Sequence, residues 1–357
     1  MTAFEDLLTW RESSTSGTAI AAALNSAGPA SAAARDVLAA ADGIVITGAG
    51  SSYYLAQAVA AVGRAVMGRP VVAAPLSELM LRPAGVLGGS RDGARAIGRE
   101  PVVIISRSGA TSEAISVVER MHATGHPTVA VTCRDDSPLA TLADVTLVSP
   151  AGDEAAIVMT RSFASMLALL LTVVADAGGD EHLAAALARL PDHWSEAVAA
   201  AEVGRRLGAT DWSRIVILGG GPSFGIAAEW GLKLTETSQV PTSAYEPLEF
   251  RHGPISVCEP GMLVIGLVGG AGAADEVAVV AEAAGLGAET WLIARHEDEN
   301  RSARGTVSLI GGGIDPVARL PLLVHPAHAL ALSLALTRGR DPDAPRHLGQ
   351  VVILGLE

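Results

Sequence analysis

The sequence is poor in cysteine, aromatic residues and lysine. Only two cysteines, Cys133 and Cys258, occur in 357 residues, and each stands alone. Without a CxxC pair, neither a thiol redox motif nor a cysteine-built zinc site can be assembled. Two isolated thiols suit a reducing cytoplasm. Aromatic residues make up 3% of the chain, too few for the stacking platforms that hold single-stranded nucleic acid. Positive charge is outnumbered: 25 Lys+Arg against 38 Asp+Glu leave a net charge of −13. That balance argues against a nucleic-acid or membrane partner, but not against a small anion held in a local pocket. The charge-free stretch Ser162–Ala175 is too short to span a membrane, and Leu320–Thr337 carries Pro321, His325, Pro326 and His328. The start, MTAFEDLLTWRESS, has acids before any basic residue and no apolar core, so no signal peptide is expected.

Lysine is the scarcest. Of the 25 basic residues all but Lys233 are arginine. An arginine-favouring composition explains the bias and leaves two readings of the exception. Lys233 is a chance survivor, or it stands where arginine fails, because only lysine can lose its proton when buried.

What is present is apolar material. Hydrophobic residues make up 49% and charged residues 18%, a composition that folds, and the length suggests two domains on a prior of roughly 100–200 residues each. Short β-branched runs alternate with helical stretches: Gly43–Thr47, Val71–Ala74, Val102–Ile105, Thr128–Thr132 and Val145–Val148, closed by an apolar helix over about Thr160–Ala177. This alternation predicts an α/β fold, a parallel sheet covered by helices on both faces. The pattern then restarts. VITGAGSSYYLAQAVAA, from Val45, is echoed by VILGGGPSFGIAAEWGL, from Val216, with further echoes at Met262–Val268 and Glu289–Ala294. Two tandem copies of one α/β unit are the economical reading. The expected layout is an N-terminal helical segment over 1–29, a first domain over 30–180, a helical bridge over 181–210, a second domain over 211–340 and a tail over 341–357.

In open parallel sheets ligands bind at the carboxyl ends of the strands. Gly48-Ala-Gly-Ser-Ser52 follows one strand, Ser106-Arg-Ser-Gly-Ala-Thr111 another, and Thr160 opens the long helix. Amides at a helix start joined by such hydroxyls suit a phosphate dianion, although single loops of this kind also serve simply as helix caps. Neither a P-loop nor a full dinucleotide fingerprint is present. A second constellation is Glu229, Lys233 and Glu236, which share one helix face. It reads either as a solvated salt-bridged stripe or as a carboxylate base tuned by a lysine. Then comes AYEPLEFRHGP, in which His252 sits at a turn beside Glu249 and Arg251, either as surface decoration or as an acid/base group. No metal-ligand pattern appears among the histidines, and His325-x-x-His328 is taken as structural. No cofactor is implied.

With these residues in view, the chain resembles the double sugar-isomerase (SIS) domain proteins. GAGSS, SRSGAT and EWGLKLTE followed by RHGP resemble the isomerase half of glutamine–fructose-6-phosphate amidotransferases. VMTRSFASML, LEFRHGP and the closing PRHL are nearer the galactosamine-6-phosphate deaminase/isomerase group. The resemblance runs from about residue 30 to 357 and implies two tandem SIS domains. It implies that Gly50, Ser51, Ser52, Ser106, Ser108, Thr111 and Thr160 hold a sugar phosphate, with Arg107 beside it. It implies Glu236 as the base shuttling a proton between C1 and C2, Lys233 and Glu229 as its supports, and His252 as the ring-opening group. In a homodimer with a shared active site that histidine is the partner subunit's His252. Gln350 stands where the amidotransferase tail carries a lysine, so a Schiff base from the tail is excluded. No glutaminase domain or N-terminal cysteine nucleophile is seen, so ammonia is not expected to come from glutamine. The expected activity is conversion of a hexosamine 6-phosphate to a ketohexose 6-phosphate and ammonia. A fructosamine-6-phosphate deglycase, a ketose/aldose phosphate isomerase and a non-catalytic sugar-phosphate sensor are the alternatives.

Overall fold

In the computed structural model, residues 3–26, 28–87, 99–297 and 305–353 are described. They contain two five-stranded sheets. In the first, β1 (Ile44–Gly48), β2 (Val71–Pro75), β3 (Val102–Ile105), β4 (Thr128–Thr132) and β5 (Val145–Val148) lie in the order β2-β1-β3-β4-β5. In the second, β6 (Ile215–Gly219), β7 (Thr242–Tyr245), β8 (Leu263–Leu267), β9 (Glu289–Ala294) and β10 (Thr306–Leu309) lie in the order β10-β9-β8-β6-β7. Read from β7, the second order repeats the first, and every pairing is parallel. The tandem duplication seen in the sequence is thus a duplication of topology. It reaches single residues: Gly50 (φ 55, ψ −126) and Gly221 (φ 54, ψ −124) turn the chain identically after β1 and β6. Only glycine adopts such a conformation at low cost.

The central strands are buried along their whole length, which is why they read as unbroken apolar runs. The edge strands β7 and β10 are half-buried and carry Thr and Ser, so no apolar run marks them in the sequence. The chain divides into two compact units that interleave along it. The unit of the first sheet comprises Thr18–Glu154, Arg161–Ala188 and Gly349–Glu357; that of the second comprises Met1–Gly17, Ala155–Thr160 and Arg189–Leu348. In the first unit the Ser51–Met67 helix packs on β1, on β2 and on the Arg161–Gly178 helix. In the second, the Pro222–Ser238 and Trp194–Leu207 helices both pack on Val324–Thr337. Arg161–Gly178 and Leu320–Thr337 are long and apolar enough to cross a bilayer, yet 72% and 83% of them are buried within the fold. They are core helices.

Candidate active site

Each unit carries one constellation. In the first, the strands β1 and β3 end side by side at the point where strand order reverses, and their loops meet the crevice. Ser51, Ser52 and Ser106 are buried there, and Ser106 Oγ lies 3.2 Å from Thr111 Oγ1. The Ser106–Thr111 loop is held in shape from behind. The Arg107 carbonyl accepts the Thr132 hydroxyl and the Cys133 amide, each at 3.0 Å. Gly109 takes a positive φ of 59, and a Cβ there would fall 2.1 Å from Ser137 Oγ. Ser108 Oγ accepts the Ala110 amide at 3.2 Å. The loop then enters the Ser112–Thr124 helix through Thr111, whose carbonyl accepts the Ala114 and Ile115 amides at 3.0 and 3.2 Å.

Arg107 is not poised over the hydroxyls as a free cation. Its guanidinium is buried, 3.6 Å from Glu154, and donates to the Gln350 carbonyl at 3.0 Å. Gln350 in turn donates its amide to the Glu154 carbonyl at 2.9 Å, and the Val352 carbonyl accepts the Ser112 amide at 3.4 Å. Glu154 also accepts the Ser162 hydroxyl. The tail around Gln350 is therefore fastened to the loop that precedes the Ser112–Thr124 helix. Glu154 was not recognisable as a site residue in the sequence; its one signal is an acid in the short stretch before Thr160. Thr160 itself is fully buried at the head of the Arg161–Gly178 helix.

In the second unit, Lys233 Nζ lies 3.4 Å from Glu229 Oε1 and also donates to Glu236. Glu229 and Lys233 are buried, while the Glu236 side chain is 19% exposed. One carboxylate is thus sealed in and the other reaches the surface, joined by a single ammonium. The burial that pushes Lys233 toward losing its proton is the largest influence on it. Glu229 and Glu236 together outweigh that burial, and its pKa stands above the ordinary value. Lys233 is a fixed cation. Its two carboxylates favour the charged form over the proton-losing lysine that scarcity suggested. The helix is anchored on either side of this cluster: Trp230 Nε1 donates to the Leu323 carbonyl at 2.9 Å, and Thr237 Oγ1 to Ala331 at 3.3 Å.

His252 lies in an exposed turn, its amide donating to the Glu249 carbonyl at 3.0 Å. Its neighbour Arg251 is occupied by Glu282 at 2.7 Å. His325 and His328 are buried, and both approach Ser13 Oγ through Nδ1, at 2.9 and 2.7 Å. Burial pushes His325 down to about 3, and burial, aided by His325 and Lys233, lowers His328 well below its ordinary value. Cys133 is equally inert, its thiol pushed up by burial and by nearby acids. Among the described residues no group of His, Cys, Asp and Glu suits a metal ion.

Comparison with known proteins gives the family and the fold. The family model described as SIS domain matches residues 37–175 and 209–310. A glutamine–fructose-6-phosphate aminotransferase (isomerizing) of Aeropyrum pernix is 30% identical over 91% of this chain and 53% of its own. The chain spans about half the length of such relatives. Among solved structures, a tagatose-6-phosphate ketose/aldose isomerase of Escherichia coli superposes with a TM-score of 0.82 at 21% identity, covering 100% of this chain and 99% of that one. A glucosamine-6-phosphate deaminase of Thermotoga maritima gives 0.72 at 24% identity, over 95% and 100%. These two likenesses are likenesses of fold.

Proposed function

Because the chain belongs to the SIS domain family, we propose that it is an amino-sugar-6-phosphate deaminase/isomerase. It converts a hexosamine 6-phosphate and water to a ketohexose 6-phosphate and ammonia. The observation that carries this reading is the Glu229–Lys233–Glu236 cluster, in which one carboxylate is accessible and held beside a permanent cation.

In this reading the hydroxyls of Ser52, Ser106, Ser108, Thr111 and Thr160 hold the phosphate. The protein works as a homodimer, and His252 of the partner subunit moves the proton that opens the sugar ring. Glu236 takes the proton from C2, the electron pair forms a C1–C2 double bond, and the C1–O1 π pair moves onto O1, which takes a proton from the substrate's C2 ammonium group to leave a neutral enolamine. The same carboxyl returns the proton to C1, which leaves a protonated imine at C2. Water adds to C2 and ammonia departs, so that carbon, nitrogen and protons balance. Lys233 keeps Glu236 ionised and in place, and Glu229 fixes Lys233. Carboxylate and imidazole suffice for these transfers. The tail contributes no amine, since Gln350 stands there and Lys233 is the chain's one lysine. A cytoplasmic setting is in keeping with the free Cys133 and Cys258.

The test is ammonia release by the purified protein from glucosamine 6-phosphate and from galactosamine 6-phosphate. Ammonia is expected from one or both, and Glu236→Gln is expected to lower the rate about 10²–10⁴-fold. No ammonia from either sugar, or an undiminished rate in the variant, overturns the proposal.

A further inference from the structure

An arginine inside a phosphate-binding loop is the residue expected to reach the anion, because its planar fork matches two phosphate oxygens at once. Arg107 does something else. It stands between Ser106 and Ser108 in the loop after β3, yet its side chain is 6% exposed and Nη1 lies 3.6 Å from the Glu154 carboxylate. Nη2 donates to the Gln350 carbonyl at 3.0 Å. Ser106 Oγ meanwhile pairs with Thr111 Oγ1, and Ser108 Oγ accepts the Ala110 amide. The guanidinium and the hydroxyls of one loop therefore serve separate partners.

Glu154 is suited to hold a cation back. Its side chain has no exposed surface, and it also accepts the Ser162 hydroxyl. Its own carbonyl accepts the Gln350 side-chain amide at 2.9 Å, so the acid, the arginine and the tail close on one another. A buried ion pair adds little stability over apolar side chains of the same size. Its effect here is electrostatic. In a medium of low dielectric an uncompensated Arg107 would act strongly on any anion held by its own loop, whereas the pair with Glu154 is neutral. The neighbouring arginines are engaged as well: Arg134 with Asp153 at 3.2 Å, and Arg161 with the Asp153 carbonyl at 2.9 Å.

We propose that Glu154 is a positioning residue of the phosphate site, an internal counter-ion that holds Arg107 off the bound phosphate and fastens it to the tail at Gln350, so that hydroxyls rather than a cation hold the anion. This rests on the reading of the Ser106–Thr111 loop as phosphate-binding. Arg107 is kept for its bond to the tail, which meets the same loop again where the Val352 carbonyl accepts the Ser112 amide at 3.4 Å.

The test is titration of the full chain with inorganic phosphate at low salt, followed by phosphorus NMR. The wild type is expected to bind in the millimolar range. Glu154→Gln keeps the shape and an acceptor for Ser162 but removes the charge, and is expected to bind phosphate at least about tenfold more tightly. A merely structural role gives the opposite sign, because a loop that loses its shape binds more weakly. Glu154→Asp, which keeps the charge, is expected to lie nearer the wild type than Glu154→Gln does. The double variant Arg107→Gln/Glu154→Gln removes a neutral pair and strands no charge, and is expected to lose the gain. It decides the matter even where Glu154→Gln does not fold, as read from thermal melts. A double variant at least about tenfold weaker than the wild type would show Arg107 itself holding the phosphate and overturns the inference. Wild-type binding that Glu154→Gln leaves unchanged or weakens overturns the inference alone. No binding by the wild type or any variant overturns it together with the phosphate-site reading.

Discussion

Lys233 explains itself once its surroundings are seen. Glu229 and Glu236 lie on the two flanking turns of its own helix, and a single ammonium reaches both. A guanidinium there is longer and planar and presents five donors that all need partners in a buried space. An arginine-rich chain therefore keeps one lysine where the geometry excludes the alternative. Glu229 is fully buried, so removing its counter-ion strands a charge. Lys233→Met is expected to cost about 3–5 kcal/mol of stability. Adding Glu229→Met is expected to recover part of that loss, since two apolar side chains replace the whole pair. Denaturant unfolding followed by tryptophan fluorescence checks both. A double variant less stable than Lys233→Met would refute a net penalty for the stranded carboxylate. The same residue marks what sequence reading could deliver. The 229–233–236 spacing showed the shared face, but whether Lys233 kept its proton depended on how deeply the helix is buried.

At the scale of elements, contacts between distant stretches of chain did most of what the sequence concealed. The Leu8–Ser13 helix has no capping side chain of its own at Leu7. Asp343 serves instead, accepting the amides of Leu8 and Thr9 at 2.8 and 2.9 Å and the Thr9 hydroxyl at 2.6 Å. Glu12, from the same helix, accepts the amides of Ala155 and Ala156 at 2.7 and 2.8 Å. No local signal announces either partner. By contrast, every central strand was readable, because burial on both faces demands an apolar run, whereas β7 and β10 at the sheet edge lack that demand. Asp343→Ala is expected to cost about 1–2 kcal/mol, the range of a lost helix cap. Amide hydrogen exchange is expected to quicken at Leu8 and Thr9 while β6 and β8 stay protected. Unchanged exchange at those two amides would show that Asp343 does not hold the helix.

On the scale of the whole molecule, the two units report separately. All five tryptophans, Trp10, Trp194, Trp212, Trp230 and Trp291, lie in the unit of the second sheet. That unit also buries His325 and His328 beside Ser13, with Trp10 stacked on His325 at 5.1 Å between ring centres. Both histidines have depressed pKa values, His325 at about 3. The unfolded chain regains an ordinary histidine, with a pKa near 6.5. Above that pH both states are neutral and the contribution to stability is complete. As pH falls below it, the unfolded state takes up protons that the folded state refuses, and stability is lost progressively toward pH 3. The slope is about 1.4 kcal/mol per pH unit for each histidine. Tryptophan fluorescence is therefore expected to record a transition whose denaturant midpoint drops steeply between pH 6.5 and pH 4. Circular dichroism, which sums helices from both units, is expected to broaden as one unit gives way before the other. His325→Gln is expected to flatten the fluorescence slope by about half. A midpoint that does not move with pH in the wild type would mean that these histidines are already charged or exposed in the folded protein.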